Sequence, residues 1–376
     1  MSKTSVLFFI KNLGGGGAER VLVDLLHRLN PEKFDITVRT IFDEGIYRNQ
    51  LPAHVTYKST LPKEFPGFVH LAKLFSRKTL YNFFIKEKYD ITVAFLEGIT
   101  TRIASGCNNK ETKLISWLHL EQKYKSVYLK PYRSLKEMEI SYNSFDYICS
   151  ASHFALDSLK SIIHLKPANG VFHNIIDTEA IIRKGAEEIT EITFPRDIIR
   201  LGSVGRLTHQ KGYLRLIRVL GRLKQDGYNF QFYLLGKGDE EQEIRSEIRK
   251  NNLESVIHLL GFRENPYKFI RNFDLFIGSS YYEGFSLVIC EAAILGVPAI
   301  ATFVSGLDEI TNTTNQYSYT VENSEDGLYN GLKKLLDDRS IIDNLKHHCL
   351  QSARFFNTAA AADKVSELFL SLITRK

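Results

Sequence analysis

The strongest constraint on this chain is an alternation that runs through it twice. Short apolar, β-branched runs recur at Ser5–Ile10, Asp35–Thr40, Asp90–Phe95, Lys113–Trp117 and Asp146–Ser150, with segments of helical length between them. Ala18–Leu29 is the clearest helix, because Val21, Leu22, Leu25, Leu26 and Leu29 follow the 3, 4, 7 spacing of one helical face. The series restarts at Arg200–Val204, Gln231–Leu235, Val256–Leu259, Asp274–Ile277 and Pro298–Ala301, with helices over Leu214–Leu223 and Leu287–Leu295. Strands separated by helices predict parallel sheets with crossover connections. The 376 residues also exceed what one core serves, roughly 250–300 residues. The expected fold is α/β, with two tandem Rossmann-like, doubly wound domains facing a cleft. Residues 1–174 make the first domain and 175–357 the second, and a C-terminal helix over 358–376 packs back onto the first. Glu187–Asp197, largely polar with Pro195 near its end, reads as a linker or as the second domain's edge. Ligands of such sheets bind beyond the carboxyl ends of the strands.

Composition removes several classes. Apolar residues make up 44% and charged residues 24%, ordinary for a globular chain and wrong for disorder or coiled coil. No apolar run reaches the roughly 18 residues of a spanning helix; Val288–Val304 contains Glu291 and Pro298 and reads as a buried helix followed by a strand. The N-terminal apolar stretch is too short for a secretory signal. Four cysteines lie far apart with no CxxC, which is neither a disulfide framework nor a zinc site and fits a reducing cytoplasm. The net charge of +6 is uneven: residues 1–175 hold 24 Lys and Arg against 16 Asp and Glu, and residues 176–376 hold 25 against 27. The first half is therefore the one to meet an anionic partner. Nucleic acid is not expected, since the charge is moderate and no recognition motif is present.

Three motifs can carry chemistry. Gly14-Gly15-Gly16-Gly17-Ala18-Glu19-Arg20 follows a strand and opens a helix. Its backbone can approach a ligand closely at a helix N-terminus; a permissive turn explains it equally well. In Gly202–Gly212 a strand ends in a loop with Arg206 and Lys211 five residues apart. A planar fork and a point charge both suit phosphate oxygens, although solvated surface cations are the ordinary fate of such residues. In Glu283-Gly284-Phe285-Ser286-Leu287-Val288-Ile289-Cys290-Glu291 the first acid lies on a loop and the second inside a helix. Each could then reach a different end of one extended ligand, with the amides of Phe285, Ser286 and Leu287 at the helix N-terminus toward its phosphate. Glu291 sits on an apolar helix, so its carboxylate needs a hydrogen-bond partner.

Together these features resemble the retaining glycosyltransferases of the GT-B class, family 4 (glycosyl transferases group 1). The matching pieces are Gly16–Arg20, Gly205-Arg206 with Lys211, Gly236-Lys237-Gly238, the Glu-x7-Glu pair Glu283 and Glu291, Trp117-Leu118-His119 and Asn174-Ile175-Ile176-Asp177. The resemblance implies that Arg206 and Lys211 hold a donor diphosphate and that Glu291 accepts from the ribose hydroxyls. Glu283 would contact the transferred sugar with the backbone of Phe285, Ser286 and Leu287. Gly16 and Gly17 would let the first domain close on the donor, Phe262 and Arg263 would grip the base, and His119 would stand near the reacting sugar. It further implies retention at the anomeric carbon. The chain has no Asp-x-Asp motif, so no catalytic metal is expected and no cofactor beyond the nucleotide-sugar substrate. UDP is the commonest carrier for envelope enzymes of this family, which makes a UDP-sugar the expected donor.

The acceptor is suggested by Lys63–Lys88, where six Lys and Arg against two acids interleave with Phe65, Phe68, Leu71, Leu74, Phe75, Tyr81, Phe83 and Phe84. Such a segment suits an anionic membrane surface, while core aromatics with a solvated lysine rim explain it nearly as well. The expected acceptor is a lipid-linked saccharide in lipopolysaccharide, capsule or exopolysaccharide assembly. The expected location is cytoplasmic, peripheral on the inner face of the membrane. Two other readings share the donor residues: a sugar-nucleotide epimerase of the same fold, and a non-catalytic sugar-nucleotide-binding subunit.

Overall fold

A computed structural model describes residues 3–374 except 15, 123, 196, 284, 305–316 and 353–357; for 350–352 and 358–360 only the backbone is described. The chain forms two units, residues 1–175 with 358–376, and residues 176–357.

The first unit holds seven strands: β1 (Thr4–Ile10), β2 (Phe34–Phe42), β3 (Thr56–Leu61), β4 (Ile91–Phe95), β5 (Lys113–Leu118), β6 (Tyr147–Ser150) and β7 (Ala168–Val171). They pair in the order β3-β2-β1-β4-β5-β6-β7, every pair parallel. Neighbouring residues of a strand point to opposite faces, and Val6, Leu7, Phe8 and Phe9 are all fully buried. Both faces are therefore covered, which is why the central strands read as unbroken apolar runs. The helix Gly17–Leu26 follows β1, shorter than the sequence pattern suggests, and ends in turns. The final helix, Thr358–Thr374, belongs to this unit. Its Phe369 is fully buried with its ring 6.1 Å from that of Phe8 and 5.8 Å from that of Phe34.

The second unit holds β8 (Ile199–Val204), β9 (Phe230–Leu235), β10 (Ile257–Gly261), β11 (Leu275–Gly278), β12 (Ala299–Thr302) and β13 (Ser318–Val321). Their order is β10-β9-β8-β11-β12-β13, again all parallel. The helix Tyr213–Gln225 buries Leu216, Ile217, Val219, Leu220 and Leu223 against this sheet's core. Glu187–Asp197 is irregular, but Ile189, Ile192 and Phe194 pack on the second unit's core, and the Phe194 ring lies 4.8 Å from that of Tyr233. Its apolar third residues, not its polar majority, decide where it rests.

The basic aromatic segment divides in two. Phe68, Leu80, Tyr81 and Phe84 enter the first unit's core, whereas Leu71, Leu74, Phe75 and Phe83 are exposed, Leu74 by 74%. No helix among the described residues is long and apolar enough to cross a membrane.

Truncating Phe369 to Ala removes the ring that joins the last helix to β1 and β2. The expected loss is about 3–5 kcal/mol of first-unit stability, measurable by urea denaturation.

Candidate functional site

In a sheet of this order the chain leaves the first strand to one side and later returns to the other. The loops after the two central strands diverge, which opens a crevice at their carboxyl ends. In the second unit those strands are β8 and β11, and the loops they release are Gly205–Gly212 and Ser279–Ser286. The topology thus brings Lys211 beside Glu283, with Arg206 at the start of the same loop as Lys211.

The β8 loop is shaped by a short turn. The amides of Lys211 and Gly212 donate to Thr208 O and His209 O, and Gly212 takes φ 65° before the helix Tyr213–Gln225 begins. A side chain at Gly212 would meet Ser279 O at 2.3 Å, so only glycine allows the two loops to lie this close. The contact is stitched by hydrogen bonds. Tyr281 N–H donates to Gln210 O at 2.8 Å, Gln210 Nε2 to Tyr282 O at 3.0 Å, and Ser279 Oγ to Lys211 O at 2.8 Å. At its end Lys211 Nζ donates to Glu283 Oε1 at 2.5 Å, and Ser280 Oγ donates to the same oxygen at 2.7 Å. Glu283 is buried and Lys211 half-buried, so the pair is shielded from water. Arg206 is exposed and its guanidinium has no side-chain partner among the described residues.

Glu291 lies inside the helix Leu287–Ile294 and accepts from Tyr267 Oη at 2.9 Å, which meets the need for a partner on this apolar helix. Ser286 caps the helix. The Leu287 N–H donates to Phe285 O at 3.0 Å, so it is engaged within the turn rather than pointing outward as the sequence pattern suggests. Gly284, between Glu283 and Phe285, lies outside the described residues. Phe262 and Arg263 follow β10, two strands from β8 on the same carboxyl edge. Phe262 is exposed; Arg263 sits 5.8 Å over the Phe269 ring, and its Nε is buried without a hydrogen-bond partner.

The first unit's central strands are β1 and β4. After β1 the glycine loop enters its helix, with Gly15 outside the described residues. Glu19, buried, folds back over Gly16: a side chain at Gly16 would meet Glu19 Oε2 at 2.2 Å. The loop's first-turn acid thus lies against Gly16. After β4 the chain bends through Leu96 (φ 81°) and Gly98 (φ 99°), with Glu97 between them. A non-glycine residue at such φ is strained. Glu97 Oε2 accepts the His119 N–H at 2.8 Å. Loss of hydration pushes the Glu97 carboxyl up to about 7, against the amides of His119, Glu97 and Leu120 that hold it down. The sequence motifs did not single out Glu97; its signal is an acid at a strand end directly before a glycine.

His119 follows β5 and is buried, its ring 4.5 Å from that of Phe95 and stacked 6.3 Å from that of Trp117. Among the described residues neither ring nitrogen has a hydrogen-bond partner, and burial lowers its pKa to about 3. Among the described residues no three His, Cys, Asp or Glu side chains gather as a metal site would need.

Two parallel, doubly wound units in tandem are the architecture of the GT-B fold. Residues 186–354 match the family model for glycosyl transferases group 1. The chain is 28% identical over 371 residues to an N-acetylgalactosamine-N,N'-diacetylbacillosaminyl-diphospho-undecaprenol 4-alpha-N-acetylgalactosaminyltransferase of Campylobacter jejuni, covering 94% of this chain and 96% of that one. It is 25% identical over 382 residues to a UDP-Gal:alpha-D-GlcNAc-diphosphoundecaprenol alpha-1,3-galactosyltransferase of Escherichia coli, covering 96% and 95%. Among solved structures, sucrose-phosphate synthase from Thermosynechococcus elongatus superposes with a TM-score of 0.81 at 16% identity over the whole of both chains. Anabaena HepE in complex with UDP and glucose superposes with a TM-score of 0.73 at 18% identity, over 98% of this chain and all of that one. The protein is a glycosyltransferase of the GT-B fold.

The His119 shift has a consequence for stability. The unfolded imidazole takes up a proton near its ordinary value of 6.5 and the folded one only near 3, so stability drains away as pH falls through that window. His119→Phe is expected to lose less stability than wild type between pH 7 and pH 4, compared by urea denaturation at the two pH values.

Proposed function

We propose that this protein moves a hexose or N-acetylhexosamine from a UDP-sugar to a lipid-linked saccharide, with retention at the anomeric carbon and without a catalytic metal. The observation that carries the reading is the apposition of the β8 and β11 loops. Lys211 and Glu283 meet there at 2.5 Å with the unpartnered Arg206 on the same loop as Lys211. A donor diphosphate carries about two negative charges, and Arg206, Lys211 and the amide end of the helix Leu287–Ile294 can offset them as the leaving group departs. Glu283, at the end of the β11 loop, contacts the sugar, and Glu291 on that helix accepts from the ribose. Phe262 and Arg263 face the base. Gly16, Gly17 and His119 belong to the first unit, which takes the acceptor. The relatives named for undecaprenyl-diphosphate saccharides support the acceptor class, and the UDP-Gal relative with the UDP-bound Anabaena structure supports the donor. Both the epimerase and the non-catalytic subunit leave the saccharide acceptor of these relatives without a role.

Exposed Leu71, Leu74, Phe75 and Phe83 beside Lys73, Lys78 and Lys86 fit an anionic lipid surface from which a lipid-linked acceptor could be taken. This suits a peripheral place on the cytoplasmic face of the membrane.

A thermal-shift comparison of UDP-, GDP- and ADP-sugars is expected to single out UDP-sugars, by about 2.7 kcal/mol at a hundred times the dissociation constant. Arg206→Ala, at an exposed residue whose guanidinium has no side-chain partner among the described residues, should lose turnover by about a hundredfold at unchanged melting temperature; wild-type turnover would refute the diphosphate role. Co-sedimentation should recover the protein with phosphatidylglycerol vesicles at low salt and release it at high salt. Equal recovery with phosphatidylcholine would refute the charged lipid contact.

A further inference from the structure

Arg215 stands in the first turn of the helix Tyr213–Gln225 and is 2% exposed. Its Nε and Nη2 donate to Ser279 O at 3.1 and 2.7 Å, and Nη2 also reaches Ser280 O at 2.9 Å and Asn323 Oδ1 at 2.7 Å. The guanidinium lies 3.8 Å over the Tyr281 ring, on which His209 also stacks. Asn323 extends the same grip, donating from Nδ2 to Tyr281 O and Phe303 O at 3.0 Å each. Three consecutive carbonyls of the β11 loop are thus held from one side, and Thr302 Oγ1 donates to the middle one at 2.7 Å.

A buried guanidinium is a costly way to fill space. An apolar side chain would pack there without loss of hydration, but could not hold carbonyls. The held carbonyls belong to the segment that ends in Glu283, while His209, stacked on Tyr281, belongs to the segment that carries Lys211. We propose that Arg215 is a positioning residue for glycosyl transfer: by clasping the carbonyls of Ser279 and Ser280 it sets the β11 loop so that Glu283 meets Lys211. The proposal rests on the reading that Glu283 and Lys211 hold the donor. Lysine keeps the charge at this position but cannot reproduce the fork that grips two carbonyls and an amide together.

The test is a double-mutant cycle, with turnover read as UDP released from UDP-glucose, UDP-galactose or their N-acetyl derivatives. Arg215→Lys is expected to lower kcat by about tenfold or more in the wild-type background. In a Glu283→Gln background it should cost less than about twofold, because the contact it sets is already gone. Equal losses in both backgrounds, as general destabilisation would give, overturn the proposal, as does wild-type kcat in Arg215→Lys. Asn323→Ala removes one arm of the clasp and is expected to couple in the same way; additive behaviour there also overturns it. Hydrogen exchange judges the clasp independently of turnover: Arg215→Lys should speed exchange of the Tyr281 amide, which donates to Gln210 O, and leave β8 unchanged. Unchanged exchange at Tyr281 overturns the proposal. Wild-type kcat in Glu283→Gln alone overturns the donor-site reading instead, and the exchange result then decides the clasp.

Discussion

Everything about the second unit's site follows from the short contact between Lys211 and Glu283. The two residues are 72 positions apart and meet only because β8 and β11 are neighbours whose following loops leave the sheet at the same edge. A parallel sheet built outward from its first strand must place those loops together. The fold thereby converts two unremarkable charges into a shielded pair. Gly212 sets how near the loops lie, and the hydrogen bonds through Gln210, Ser279 and Tyr281 hold them there. The first unit repeats the plan with β1 and β4, but furnishes the edge with Glu97, an acid raised to about 7, and His119, a neutral imidazole.

On the proposed reading that contrast divides the chemical labour: charge on the second unit's edge suits a diphosphate, whose negative charge grows as the sugar departs. In the first unit His119 is neutral at neutral pH, and Glu97, raised to about 7, is poised between its two forms, which suits exchange of a proton with an alcohol.

How much of this was legible in the sequence depended on burial. The central strands were visible because both their faces are covered and their residues are apolar throughout. Three of the four strands at the margins, Thr56–Leu61, Ala168–Val171 and Ser318–Val321, were not: they are partly exposed along their length, the first two show neither an apolar run nor strict alternation, and the third alternates over only four residues. The residues proposed for the donor were legible because Arg206 with Lys211, and Glu283 with Glu291, stand close in sequence at loop-to-helix junctions. Arg215, Tyr267 and Glu97 were not. Their partners are 64, 24 and 22 residues away, and an arginine in an amphipathic helix or an acid at a strand end has no local pattern to set it apart. Proximity created by the fold is what gives these residues their meaning.

The returning last helix has a consequence for how the molecule is made. Phe8 and Phe34 emerge from the ribosome early, yet the ring that covers them is Phe369. Through synthesis of the entire second unit the nascent first unit therefore carries an uncovered apolar patch, the kind of surface to which chaperones bind. A chain that stops short of residue 369 keeps that patch uncovered.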